Sequence, residues 1–383
     1  MNKKPIVTID AGSFSVSDET VGGVGIHAAE MAQVLSEEFT VRLIATPTSD
    51  PVHLGSSELV STEEDTDKVI AETDVVIFFD TADRSRFESA VSQGKLIASD
   101  CRPALEQLDY PSILTSDDPS GVHRRIVDTH VRQLTMSHHF LCRSQVDRIS
   151  LISNLCAFGR IAPSDVQRSR TLDHLISMTP VGFSRHSARA ADRAESRYLA
   201  DFLWTGGVWA YYSPELLISA IGILKKRGVA ATAAFLYAAP SADNREILAG
   251  LRQQINDAEL SECVLLHSEP LPHSRRDSYL KAARAFVSVA KPGVENETSV
   301  RLRVRDSKLH GIPTISDGHG ETGTLISRDA LGIVLPQADA EHLADAMEQI
   351  ISLGDSNSVG RRSEFLYEET LFNFKSWLGT LMR

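Results

Sequence analysis

Residues 202–217 read FLWTGGVWAYYSPELL. An apolar run ends in Thr-Gly-Gly, and a helix is expected to begin near Ser213-Pro214, because proline suits a first helical turn. Helical spacing then continues through PELLISAIGILKKRG at 214–228, with Gly228 past the end. A strand that feeds a glycine loop and then a helix is half of a parallel βαβ unit. The pattern recurs along the chain. PIVTI (5–9), TVRLIA (40–45), DVVIFF (74–79), KLIAS (95–99) and HFLCRS (139–144) form one set of apolar runs. DFLW (201–204), ATAAFLY (231–237), CVLL (263–266), AFVSVA (285–290), TIS (314–316) and GIV (332–334) form a second. The stretches between them mostly have helical spacing. The expected class is therefore α/β, with two Rossmann-like domains whose parallel sheets face across a cleft.

Between the sets, PVGFSRHSARAADRAESR at 180–197 is polar, charged and weakly periodic, and reads as a linker. The expected domains are residues 1–183 and 201–365, joined by 184–200. The stretch FLYEETLFNFKSWLGTLMR is amphipathic, and 366–383 is expected to form a helix returning to the first domain.

The chain has 383 residues, 42% of them hydrophobic, enough to bury a sizeable core. Its formal charge of −12 argues against nucleic acid and anionic membrane as partners. No apolar run reaches the ~18 residues of a membrane span. The opening MNKKPIVTID reads directly into a first strand, so no signal peptide is expected and the cytoplasm is the expected compartment. Cys101, Cys142, Cys156 and Cys263 form no CxxC pair and no ligand set with histidine. They read as buried thiols, and no metal site is expected.

Open parallel sheets bind ligands beyond the carboxyl ends of their strands, and several loops there carry candidate chemistry. GGVGIH at 22–27 follows the first strand and opens a helix, so Gly23 and Gly25 allow close backbone approach and His27 lies in the first helical turn. It is neither GxGxxG nor a P-loop. Asp100 ends KLIAS. In the second domain, Gly206 and Gly207 offer room for a diphosphate. Trp209, Tyr211 and Tyr212 either flank a base or sugar or simply pack against the loop. Lys291, in the Lys-Pro-Gly turn after AFVSVA, is a phosphate candidate, whereas HSRRDSY at 273–279 reads as a solvated helix start.

The segment VRLRVRDSKLHGIPTISDG at 300–318 is a basic exception in an acidic chain. Residues 297–310 read as one helix, ended by Gly311 with Pro313 beyond. On it Arg301 and Arg305 share a face, and Arg303 neighbours Asp306. One reading is a surface ion pair with solvated arginines. The other is an anion site, in which an arginine neutralises phosphate and Asp306 accepts two ribose hydroxyls.

Taken together, these segments resemble retaining GT-B glycosyltransferases of the GT4-like family. The resemblance rests on GGVGIH, FLWTGGVW, the 300–318 segment with Asp306 five positions before Gly311-Ile312-Pro313, FLCRSQVDRISLISNLCAFGRIAP at 140–163 and HLISMTPVGF at 174–183, all in the family's order. It implies transfer of a sugar from a UDP- or GDP-linked donor to a small-molecule acceptor, with retention by front-face attack and without metal or separate cofactor. Natural-product pathways, including antibiotic biosynthesis, and cell-surface glycan assembly are the settings it suggests. His27, Asp100 and Arg303 become the catalytic candidates. Gly23, Gly25, Gly206, Gly207, Trp209, Lys291, Glu297, Thr298, Ser299, Arg301 and Asp306 become the donor-binding ones. The family usually carries two glutamates separated by seven residues. Here Asp306 takes the second position and either Glu297 or Thr298 the first. The family's basic pair beside the donor glycine loop is missing, so Lys291, Arg301 and Arg303 are candidates to replace its charge.

Two further readings stand beside this one. The first is a transferase of the same fold with a thiol acceptor or an unusual donor; the second is a non-catalytic GT-B-like binding protein. A nicotinamide dehydrogenase is disfavoured, since no GxGxxG precedes an acidic residue at the required distance. Oligomeric state is left open, a homodimer included.

Overall fold

The computed structural model describes residues 4–100, 113–241, 244–269, 271–354 and 362–380. The chain divides into two compact units, one of Met1–Arg185 with Glu364–Arg383, the other of His186–Ser363.

The first unit is built on β1 (Ile6–Asp10), β2 (Thr40–Ala45), β3 (Glu58–Ser61), β4 (Val75–Phe79), β5 (Leu96–Asp100), β6 (His139–Cys142) and β7 (Ile176–Met178). They form a sheet in the order β3-β2-β1-β4-β5-β6-β7, and every pairing is parallel. IVTID and VVIFF are buried at every position, which is why these strands lack the apolar–polar alternation of a half-exposed strand. The strand order reverses between β1 and β4.

The second unit repeats the plan. It contains β8 (Phe202–Gly207), β9 (Ala233–Tyr237), β10 (Val264–Leu266), β11 (Ala285–Ser288), β12 (Thr314–Ser316) and β13 (Gly332–Val334). The parallel order is β10-β9-β8-β11-β12-β13, with its reversal between β8 and β11. In doubly wound sheets such reversals open a crevice at the strand ends.

Within the first unit, the C-terminal residues join the core. Leu371, Phe374 and Leu378 recur at three- and four-residue spacing and are all buried among residues of β1, β2 and β4. Around 180–197 the chain forms a helix, Arg185–Arg193, with only Ala191 buried.

Three expectations need correction. The single helix over 297–310 is two, Val294–Thr298 and Arg303–His310. Thr322 breaks it: its Oγ1 accepts the Arg301 N–H at 3.0 Å and donates to the Ser299 carbonyl at 2.8 Å, drawing the backbone out of the helical ladder. Arg301 thus precedes the second helix and shares no helical face with Arg305. The cysteines are not uniformly buried: Cys142 is, Cys263 is half-buried and Cys156 is exposed at the end of an amphipathic helix. Cys101 lies outside the described residues. The third correction concerns HSRRDSY and belongs to the site. Among the described residues no helix is long and apolar enough to cross a membrane.

Candidate functional sites at the strand ends

In the second unit, β8 ends in Thr205-Gly206-Gly207, and two arginines converge on it. Arg276 donates through Nη2 to the Thr205 carbonyl at 3.1 Å. It also makes a two-pronged pair with Asp306, Nη1 to Oδ1 at 2.7 Å and Nη2 to Oδ2 at 2.5 Å. Both partners are buried. Burial opposes both charges, but their mutual attraction wins, raising the arginine pKa and lowering the carboxylate pKa. HSRRDSY is therefore no solvated helix start: Arg276 stands four residues before Leu280, on the face that the helix His273–Leu280 buries. Nor does Asp306 pair with Arg303.

Arg303 takes a different place. Its Nη2 donates to the Gly207 carbonyl at 2.9 Å. Its guanidinium carbon lies 4.1 Å from the ring centre of Tyr212 and 4.7 Å from that of Trp204. Only 7% of the residue is exposed, Nη1 has no hydrogen-bond partner, and among the described residues no carboxylate comes within ion-pair range. Burial is the largest influence on it and pulls its pKa below the ordinary guanidinium value. The glycines explain how it fits. A Cβ on Gly206 would stand 2.4 Å from Arg303 Nε, and one on Gly207 would stand 2.7 Å from Trp209 Nε1. The glycine pair, expected to admit a diphosphate, is filled here by the Arg303 and Trp209 side chains.

Arg301 extends the basic edge. Its guanidinium lies over Tyr211 at 4.7 Å and bonds Asn296 Oδ1 at 2.5 Å. Asn296, invisible to the sequence reading, ties the loop after β11 together by donating to the Lys291 and Tyr211 carbonyls. Lys291 is exposed, with Nζ on the Ala210 carbonyl. Of the two candidates for the first acidic position, Glu297 is exposed and Thr298 half-buried. Ser299 is buried with no partner for its hydroxyl, as is Thr205. Tyr212, Asn296, Arg301, Ser316, Asp317 and His319 line a small cavity. Asp317 accepts the Ala290 and His319 backbone N–H groups, while burial raises its pKa.

The first unit has its own cluster. His27, read in the first helical turn, and Asp100, read at the end of a strand, are brought together: His27 Nε2 stands 3.6 Å from Asp100 Oδ2. On the other side of the ring, Nδ1 lies 2.7 Å from the Tyr367 hydroxyl. The Phe79 ring, at the end of β4, sits 5.2 Å from the imidazole centre. Gly25 is needed for the packing of this helix, since a Cβ would fall 2.1 Å from the Ser15 carbonyl oxygen. Gly23 begins the helix Gly23–Leu35, with Gly22 as its cap. At the end of β1, Asp10 holds Arg86 at 2.6 and 3.1 Å and accepts the Gly12 N–H. Burial raises the Asp10 pKa despite that arginine. The sequence reading missed both residues, although Asp10 ends the first strand as Asp100 ends the fifth.

Among the described residues no cluster of histidine, cysteine and carboxylate side chains could hold a metal ion.

Solved structures superpose on this two-sheet chain over nearly its whole length. HepE of Anabaena, in complex with UDP, is 11% identical at a TM-score of 0.64, covering 98% of this chain and 100% of that one. The fold is GT-B. Sucrose-phosphate synthase of Thermosynechococcus elongatus is 12% identical at a TM-score of 0.58, covering 100% and 95% of the two chains. AviGT4, a glycosyltransferase involved in avilamycin A biosynthesis, is 13% identical at 0.58, covering 99% and 97%. No family profile and no curated protein sequence matches the chain. Identities this low establish the fold, and the chemistry has to be argued from the side chains.

Proposed function

We propose that this GT-B protein is a retaining glycosyltransferase that moves a sugar from a nucleoside-diphosphate sugar to a small-molecule acceptor. The observation that carries the reading is Arg303, a buried guanidinium with an unpartnered N–H and, among the described residues, no counter-ion. A buried charge is costly unless an opposite charge meets it. The carboxylate nearest in sequence, Asp306, is committed to Arg276. A diphosphate is the anion that suits this setting: it presents oxygens to a planar fork of donors, and its charge grows as the bond to the sugar breaks. Arg301 supplies a second cation on the same edge, and the unpartnered Thr205 and Ser299 hydroxyls supply further donors.

In this reading the positive charge comes from side chains, and the reaction needs no metal. The acceptor oxygen attacks the face from which the diphosphate leaves, and its proton passes to the departing phosphate oxygen. Asp306 enters as the anchor of Arg276 rather than as a direct ribose ligand, because it is buried and both its oxygens face the guanidinium. His27 and Asp100 are assigned to the acceptor. HepE was solved with UDP and with UDP-glucose, so uridine is the first base to test and guanosine the second.

A thermal-shift panel of UDP, GDP, ADP, CMP and dTDP, run with a chelator present, tests the reading. One nucleoside diphosphate should raise the melting temperature by mass action, and its sugar conjugate should release free nucleotide on incubation with the protein. No shift from any nucleotide at millimolar concentration would overturn the proposal.

A further inference from the structure

We infer that Tyr367 is the positioning residue that fixes the tautomer and orientation of His27. The inference takes its functional weight from the proposed acceptor role of His27.

Tyr367 arrives from the far end of the sequence, yet its location is closely determined. The Phe183 N–H donates to the Phe365 carbonyl at 3.1 Å, and the Tyr367 N–H to the Phe183 carbonyl at 2.9 Å. This short parallel ladder needs a glycine beside it, since a Cβ on Gly182 would stand 2.1 Å from the Phe365 oxygen. Beyond it, Leu371, Phe374 and Leu378 anchor the segment in the first unit's core. The tyrosine is 1% exposed, and its ring meets the imidazole edge-on at 5.5 Å between centres.

The hydrogen-bond roles follow from what each group is able to do. The Gly182 N–H can only donate, and it points at the Tyr367 oxygen at 3.2 Å. That oxygen is therefore an acceptor there, and its own hydrogen is available to His27 Nδ1 at 2.7 Å. Nε2 faces the Asp100 carboxylate at 3.6 Å and so carries the ring hydrogen, which leaves Nδ1 to accept from the phenol. The opposite tautomer would aim a bare nitrogen lone pair at that carboxylate. Neutral His27 in the Nε2–H form donates at Nε2 and takes no proton there. It orients an acceptor, while the acceptor's proton leaves through the phosphate, as the proposed reaction requires.

The tautomer can be read without any substrate. With 15N-labelled histidine in the full chain above pH 7.5, long-range proton–nitrogen correlation should show His27 with unprotonated Nδ1 and protonated Nε2. Loss of the signal in His27→Asn assigns it. Tyr367→Phe keeps the ring and should give mixed tautomers, as should Gly182→Ala, which dislodges the ladder and shifts the tyrosine hydroxyl without removing it. A hydrogen on Nδ1 in the wild type, or an unchanged tautomer in Tyr367→Phe, would overturn the inference. Once a donor is in hand, Tyr367→Phe should lower kcat by at least about tenfold with donor KM unchanged; a loss confined to donor KM would also count against it. The tautomer result holds whether or not sugar transfer is found, so the two readings fail separately.

Discussion

At the ends of β4 and β5 the buried polar groups meet one another, whereas at the end of β8 a buried cation meets, among the described residues, a carbonyl and aromatic faces but no carboxylate. His27 has a tyrosine hydroxyl on one nitrogen and a carboxylate facing the other. Arg303 has the Gly207 carbonyl, Tyr212 and Trp204. Arg276, on the same strand end, shows what a satisfied arginine looks like there: two bonds to Asp306 and one to Thr205. A folded chain rarely leaves a buried charge unmet unless something from outside meets it. On the proposed function, the first-unit cluster is a preorganised side-chain array and the second-unit site half of a complex with an anion.

If this contrast is right, the two arginines of the second unit should answer oppositely to removal. Arg276→Met strips Asp306 of its partner and should lower stability by about 3–5 kcal/mol, seen as a fall in Tm. A loss below about 1 kcal/mol would mean that the pair is not what holds the strand end.

Acid should separate the units next. Burial pushes the His130 and His139 pKa values down to about 4, and both residues lie in the first unit. Their folded values lie below the unfolded one of about 6.5. The stability they confer is therefore complete above pH 6.5 and lost as pH falls towards 4, at about 3 kcal/mol each. Asp306, whose pKa is lowered, confers stability that is lost only below the ordinary carboxylate range. Asp10 and Asp317, one in each unit, have raised values and are relieved by acid, so they do not tilt the comparison. Peptide-resolved hydrogen exchange between pH 6.5 and 4.5 should show the first unit opening first. Simultaneous opening would remove this distinction.

Gly206→Ala probes the contrast most gently. The added methyl would contact Arg303 Nε at 2.4 Å and push the guanidinium off the strand end. UDP affinity should fall by about three- to tenfold, about 0.7 to 1.4 kcal/mol, with little change in Tm. Unaltered affinity would show that the seat of Arg303 on the glycine is irrelevant to the ligand.

Much of the fold was legible because buried parallel strands announce themselves as apolar runs. TVRLIA, TIS and GIV matched β2, β12 and β13 to the residue. The strands passed over, β3 and β7, are short edge strands of four and three residues with polar side chains among them. The candidate residues were legible as loops at strand ends, but their pairings were not. Helical periodicity carried the predicted helix through Ser299–Leu302, because nothing local reveals that Thr322 takes those backbone groups. Arg276 and Asp306 lie 30 residues apart, and a run as polar as HSRRDSY gives no hydropathy signal of burial. The available clue was the position of Arg276 one turn before Leu280. Tyr367 was the hardest to find, since its role depends on a ladder between residues more than a hundred positions apart.

The most direct test of the central claim is calorimetric titration of UDP into the wild type and into Arg303→Met, alongside thermal melts. Methionine keeps the apolar stem and removes the charge. The account predicts at least about a tenfold loss of UDP affinity, 1.4 kcal/mol or more, with Tm unchanged or raised because an unmet buried cation has gone. Wild-type affinity in Arg303→Met, or a Tm fall as large as that of Arg276→Met, would contradict it: the guanidinium would then be a structural brace for β8 and no anion site.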